Sequence, residues 1–265
     1  MKKKLKIFTI LFITLSFLQC TNKKNTYVKF TTNMGNFTVK LYNDTPLHKN
    51  NFIRLCKNGT YDSLLFHRVI KNFVVQGGDL DSKERVPGAL YGENGGSYTI
   101  PAEIRENHPN KKGALIDARE WDEVNPLRAS SGTQFCIIQG LKYSDAMLDK
   151  VEKKININNK RYPYYNTRSL LKRKNPRLDS LTLARKIHKT LGDSTFKLPY
   201  IKISSEKRKI YKTIGGTPNL DGLMTVFGEI TEGQNIIEKI SLVKTDTNDR
   251  PIEDVIILSS KIYFK

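Results

Sequence analysis

Phe66-His67-Arg68-Val69-Ile70-Lys71-Asn72-Phe73-Val74-Val75-Gln76-Gly77-Gly78-Asp79 is the stretch whose reading decides the fold. Two short β-branched runs flank a Lys-Asn turn and end in Gly-Gly-Asp, so the segment reads as two strands or strand fragments. Along it an arginine, a phenylalanine and an amide fall five and then three residues apart. Outward from it the pattern stays mostly β. Residues 27–32 alternate, with Val28 and Phe30 on one face, and Phe37, Val39 and Leu41 repeat the alternation after Asn33-Met34-Gly35-Asn36, which predicts a hairpin. Asp44-Thr45-Pro46 opens a helix whose apolar side is Phe52, Ile53, Leu55 and Cys56, and Asn58-Gly59 ends it.

Downstream, Ala114-Leu115-Ile116-Asp117-Ala118 and Gln134-Phe135-Cys136-Ile137-Ile138 predict two more strands, separated by a polar loop over 120–131 that carries the single tryptophan, Trp121. Residues 79–98 read as a flexible, Gly-rich loop. Its Gly92, Gly95 and Gly96 do not follow a strand and open a helix, which argues against a phosphate cradle. Residues 144–155 and 178–191 have helical spacing, the second through Leu181, Leu183, Ile187 and Leu191. Residues 233–242 predict a second core helix through Ile236, Ile237 and Ile240, and 254–264 a last strand. The pattern is mainly β with two core helices, and by itself it does not separate a sandwich from a barrel.

The chain of 265 residues is 38% hydrophobic, enough for an ordinary core. Its formal net charge of +19 would suggest nucleic acid or an acidic surface. The excess is local, however. The leader holds four lysines, and 141–213 holds about twenty basic against about six acidic residues. No aromatic stacking pattern or base-reading motif accompanies those lysines, so no nucleic acid is expected. A helical lid or partner surface is the preferred reading of 141–213.

The first residues form a secretory leader, with Lys2, Lys3, Lys4 and Lys6 ahead of an apolar run over 7–18 and then Cys20. A cysteine closing such a leader resembles the processing site of bacterial lipoproteins, with Gln19 and Phe17 departing from the usual residues. The expectation is a signal peptide over 1–19, a lipidated Cys20, a tether over 20–26 and a lipid-anchored place in the bacterial cell envelope, on the periplasmic or surface side. Plain secretion and an uncleaved anchor are the alternatives. Cys56 and Cys136 then remain, with no Cys-x-x-Cys and no metal-ligand spacing, and read as two unpaired, buried thiols.

The opening stretch resembles the signature of the cyclophilin-type peptidyl-prolyl cis-trans isomerases, and the resemblance resumes at Gly215-Gly216-Thr217-Pro218-Asn219-Leu220-Asp221-Gly222 and Thr225-Val226-Phe227-Gly228-Glu229. It implies a closed eight-stranded antiparallel barrel with a helix over each end, built from 27–140 and 214–265, with 141–213 as a basic helical insertion. Because such a barrel is filled by side chains, the ligand groove belongs on its outer surface.

The activity implied needs no cofactor and no metal. An X-Pro bond rotates over a barrier of about 18–20 kcal/mol because the nitrogen lone pair is delocalised. A catalyst need only favour the twisted amide, whose nitrogen can accept a hydrogen bond, and a permanently charged donor suits that task. By resemblance Arg68 is that donor, Phe73 floors a proline pocket, and Gln76 holds the substrate backbone, with proline-containing segments of exported proteins as partners. The resemblance also places Gln134, Ala118, Arg119, His67 and Val74 along the groove, His67 as a structural hydrogen-bonding residue because rotation transfers no proton. Cys136, Asn219 and Met224 stand where the family carries bulkier or aromatic residues, and Leu220 remains as a wall. A cyclosporin-type ligand for the same groove is weakened by these departures, which also motivate the competing reading of a non-enzymatic proline-peptide binder or chaperone. Asp117 replaces an apolar residue and adds a charge beside the groove.

Overall fold

The computed structural model describes residues 25–192 and 200–265, so the leader and Cys20 lie outside the described residues. Burial alternates along β1 (Thr26–Thr32), while β2 (Gly35–Leu41) also buries Thr38 between Phe37 and Val39, and the two strands form the expected hairpin, which pairs Val28 with Val39 and Phe30 with Phe37. The deciding stretch is a second hairpin, β3 (Arg68–Ile70) and β4 (Val74–Gly77), and Asn72 at its turn takes a positive φ of 60°. The small pair β5 (Thr99–Ile100) and β7 (Ser130–Ser131) stands apart. It carries no alternation long enough to be read from sequence. With β6 (Ala114–Asp117), β8 (Phe135–Ile138), β9 (Val226–Glu232) and β10 (Ile257–Phe264), the main sheet runs in the order β10-β1-β2-β9-β6-β8-β4-β3.

This sheet corrects the expected closed barrel. It is an open, curled sheet of eight strands whose edges are β10 and β3. No ladder joins those edges, because β3 is only three residues long. The seam between them is stitched instead by one isolated bridge, Leu65 with Ile256, and by backbone bonds such as Phe66 N–H to Val255 O at 2.8 Å and Val69 N–H to Asp249 O at 2.8 Å.

The inner face holds the principal core, in which Phe30, Phe37, Phe66, Phe135 and Phe227 pack around Phe52 of α1 (Pro46–Lys57) and Ile237 and Ile240 of α5 (Gln234–Ile240). β8 and β6 are buried at every residue, so both faces of the sheet are apolar here. On the outer face Val74, Ala114, Ile116, Cys136, Ile138 and Val226 form a second cluster with Leu220 and Met224. Cys56 and Cys136 are free, buried thiols.

Between β8 and β9 stand α2 (Asp145–Lys174), α3 (Ser180–Leu191) and α4 (Ser205–Thr213). α2 starts where Ser144 accepts a hydrogen bond from the Met147 N–H, but runs 30 residues, well past the expected end near 155. Beyond that point most of its residues are polar or exposed, so no apolar period marks them. α4 was not legible for the same reason, since Tyr211 is its one buried residue. Tyr211 packs with Leu148 and Ile203 and donates to Asp221 Oδ1 at 2.6 Å. The ends of this segment meet at a neck, where Leu141 and Gly216 exchange backbone hydrogen bonds at 3.2 and 2.9 Å.

The loop after β4 is held rather than loose. The buried Asp79 carboxylate accepts from the Gly92, Asn94 and Asp81 N–H groups at 2.6, 3.0 and 2.9 Å. Gly78 has φ +94°, and a Cβ there would collide with the Thr133 carbonyl oxygen. Gly78→Ala is expected to lower unfolding free energy by about 2 kcal/mol or more, measured by urea titration.

His67 is 2% exposed, and its polar contact is with the Leu65 backbone. Burial, with Arg68 adding to it against the pull of Asp79, lowers its pKa to about 4 from an ordinary 6.5. The unfolded chain therefore binds a proton that the folded chain refuses between those values, and stability falls as pH drops through that window by about 3 kcal/mol in all. His67→Gln should flatten this dependence in urea titrations at pH 4.5 and 7, and an unchanged slope would refute the assignment.

Candidate functional site

The cross-strand register builds the site. Arg68 pairs with Gln76, Gln76 with Cys136, and Cys136 with Ile116, so one row crosses β3, β4, β8 and β6. Directly paired residues share a face, which puts all four on the outer side. The residue after Ile116 points the other way, so the Asp117 carboxyl is buried toward Ser130 and the Thr225 N–H although the residue still borders the hollow.

Beside that row lies a hollow of about 260 Å³. Phe73, Val74, Cys136, Leu220 and Met224 give it apolar walls, and Ala118 and Arg119 border it together with Arg68 and Gln76. Phe73 reaches it because the Ile70–Phe73 turn places that ring just before β4. Leu220 comes from a single 3₁₀ turn, Pro218–Leu220, and is 1% exposed.

A chain of amides positions the guanidinium. Arg68 Nη1 donates to Gln76 Oε1 at 3.2 Å, Gln76 Nε2 to Gln134 Oε1 at 2.9 Å, and Gln134 Nε2 to the Gly92 carbonyl at 2.8 Å. On its other side Arg68 Nε stands 3.7 Å from Asp249 Oδ2. Both groups are over two-fifths exposed, so the pair orients more than it stabilises. Asp249 was not singled out in the sequence. It sits in a loop with φ 62°, and no local pattern ties it to Arg68, 181 positions earlier.

Three expected groove residues lie off the hollow. Gln134 lines a neighbouring, wider groove with Gln76, Ala118 and Arg119. Asn219 faces a separate cleft, and His67 is buried in the interior. Conversely, Trp121, Glu120 and Ile116 line the hollow unannounced. Trp121 was placed only in a polar loop, and its position as the chain's single, half-exposed tryptophan is the signal that could have found it.

Arg119 does more than lend backbone. Its side chain is fully buried, donating to the Leu223 carbonyl at 3.0 Å and pairing with Asp122 at 3.0 Å. Beneath the groove, Asp117 Oδ1 accepts from the Thr225 N–H at 2.9 Å, and Ser130 Oγ lies 2.8 Å from Asp117 Oδ2 and 2.7 Å from His48 Nε2. His48 Nδ1 lies 2.7 Å from Glu103 Oε2. Burial raises the Asp117 carboxyl above the ordinary carboxylate range. The Ser-His-Glu arrangement has the spacing of a nucleophilic triad, but the cavity at it is about 10 Å³ and admits no substrate. Its work is to fix the groove floor to α1.

Burial pushes the Cys136 thiol up to about 12, so it is an apolar wall and not a nucleophile at neutral pH. Among the described residues no group of three or more His, Cys, Asp or Glu is placed to hold a metal. What the arrangement offers is a fixed cation at the mouth of an apolar hollow, with amide donors alongside.

The family model described as "Cyclophilin type peptidyl-prolyl cis-trans isomerase/CLD" matches residues 27–158 and 200–262. Proteins of Staphylococcus epidermidis strain RP62A and Staphylococcus aureus strain USA300, carrying the description peptidyl-prolyl cis-trans isomerase, are each 30% identical over 229 residues, 86% of this chain and 87% of theirs. A crystal structure of a cyclophilin-type peptidyl-prolyl cis-trans isomerase of Cryptosporidium parvum superposes with a TM-score of 0.52 at 18% identity, covering 90% of this chain and 98% of that one. A second structure of that protein, determined in the presence of the dipeptide Ala-Pro, superposes with a TM-score of 0.51 at the same identity over 89% of this chain and 98% of that one. From the matched family model and the extent of its relatives, this chain belongs to the cyclophilin-type peptidyl-prolyl cis-trans isomerases.

Proposed function

We propose that this chain accelerates rotation about X-Pro bonds in proline-containing segments of exported proteins, with no covalent intermediate, and that Arg68 stabilises the twisted amide. The observation that carries the reading is the Arg68 guanidinium held by Gln76 at the mouth of the hollow that Phe73, Leu220 and Met224 line. A proline ring entering that hollow buries its apolar edge and leaves the preceding amide beside the cation. As the bond twists, its nitrogen becomes a hydrogen-bond acceptor and Arg68 becomes its donor. The interaction is stronger in the transition state than in the ground state, which is the condition for acceleration. Gln76 and Gln134 keep the cation in place and offer amides to the substrate backbone. The presence of Ala-Pro with the Cryptosporidium relative supports a proline dipeptide as the minimal ligand.

For place, the reading is an envelope protein lipidated at Cys20. The lysine-rich leader, the apolar run and the cysteine that closes it support this. Among the described residues no helix is long and apolar enough to cross a membrane.

Exchange NMR on an Ala-Pro peptide tests the chemistry. Arg68→Ala should lower kcat/KM by about a hundredfold or more while leaving peptide affinity nearly intact, and equal rates with and without the intact protein would make it a binder only. Cys136→Phe, which restores bulk to the hollow wall, should tighten binding of the same peptide by about fivefold; weaker binding would show that the hollow is already fully used. Mass spectrometry of the mature N-terminus should find acylated Cys20, and an unmodified cysteine would end the anchor proposal.

A further inference from the structure

Two hollows meet at one side chain. Trp121 lines the hollow beside Arg68 and also a cleft of about 150 Å³ between α2 and the loops of the curled sheet. The neighbours Asn219 and Leu220 divide in the same way, with Leu220 facing the hollow and Asn219 the cleft. Ile155, Asn159 and Tyr165 of α2 form the opposite wall.

The loop that carries Trp121 is clamped. Asp122 pairs with Arg119 at 3.0 Å and with Arg128 at 2.7 Å, and Arg128 also donates to the Gly222 carbonyl at 2.7 Å. The Arg128 guanidinium lies 4.2 Å from the centre of the Tyr162 ring, whose hydroxyl donates to the Pro126 carbonyl at 2.8 Å. The helical segment therefore holds the tryptophan loop against the groove. The Asp122 and Arg128 charges at the cleft's edge are spent on each other, and Asp221 accepts from Asn110 and Tyr211. The apolar surfaces of Trp121, Ile155, Tyr165 and Leu223 remain, and Trp121 is 51% exposed.

We propose that the cleft between α2 and Trp121 is a second subsite, which takes a bulky apolar side chain flanking the proline in the same peptide segment. This rests on the hollow being the proline site. Continuity through Trp121 identifies the occupant, because a side chain in the cleft belongs to a chain whose proline lies in the adjoining hollow. The volume suits one side chain, and aromatic walls favour an aromatic one. Asp122, Arg128 and Asp221 are already paired there, and Glu123 and Arg161, which also line the cleft, are of opposite sign, so the Trp121, Ile155, Tyr165 and Leu223 surfaces favour an apolar occupant over a charged one.

Trp121 is the only tryptophan, so the emission of the full chain reports the cleft directly. The probes are Ala-Pro peptides bearing Phe or Gly immediately before or after that pair. At one of the two positions Phe should shift the emission to the blue and bind about tenfold more tightly than Gly. Tyr165→Ala, which opens the cleft, and Asn159→Phe, which fills it, should each bring that ratio close to one. Equal affinity for Phe and Gly at both positions, or a preference that survives both variants, overturns the subsite. The readout is binding, so it separates the two proposals. A protein that prefers Phe without accelerating rotation loses the isomerase reading alone, whereas Arg68-dependent rotation with no Phe preference loses the subsite alone.

Discussion

Everything in this structure depends on a short strand that is apolar on both sides. Phe135 and Ile137 of β8 face the aromatic core, while Cys136 and Ile138 face the outer cluster, and all four are buried. A one-residue slip would exchange the two sets, turning Phe135 and Ile137 out of the aromatic core and Cys136 and Ile138 into it. The same register fixes Gln76 and Arg68, because each is paired in turn across β4 and β3. Core packing and groove geometry are thus one constraint, with about a dozen hydrophobic side chains setting where a single cation stands.

The groove's electrostatics follow from what surrounds that cation. Arg68 is half in solvent, and its partners are neutral amides on one side and a distant carboxylate on the other. Neutral partners orient a guanidinium without cancelling its field, and a long contact to Asp249 restrains it only lightly. The charges nearest the site that are buried, at Asp117 and Glu103, face inward to Ser130, His48 and backbone N–H groups. They build the floor, and Arg68 is the exposed cation at the hollow's mouth, with the Gln76 amide beside it and Glu120 on the rim.

The helical segment between β8 and β9 is tied to this site at both levels. Its neck is the Leu141–Gly216 pairing, two residues before the turn that supplies Asn219 and Leu220. Its long helix reaches back through Tyr162 to brace the loop holding Trp121. The family model leaves 159–199 unmatched. That unmatched stretch reaches the edge of the groove through Tyr162.

The hairpin of β1 and β2, the first helix and the strands around Arg68 were legible because each repeats an apolar period within a dozen residues. Phe73, Gln76, Leu220 and Met224 were legible through their motif, and the hollow does gather them. The closure of the sheet was not, because it turns on whether β3 and β10, almost two hundred residues apart, pair as a ladder or are joined only through the residues before them, as at the Leu65–Ile256 bridge. The depth of burial of His67, the inward turn of the Asp117 carboxyl and the arrival of Trp121 and Asp249 at the groove were equally hidden. By itself the sequence determined the local elements and the family, since periodicity and motif spacing are properties of neighbouring residues. Only the tertiary structure decided which charges face the substrate and which loops border it, because those follow from strand register and from contacts between residues with no sequence relation to one another.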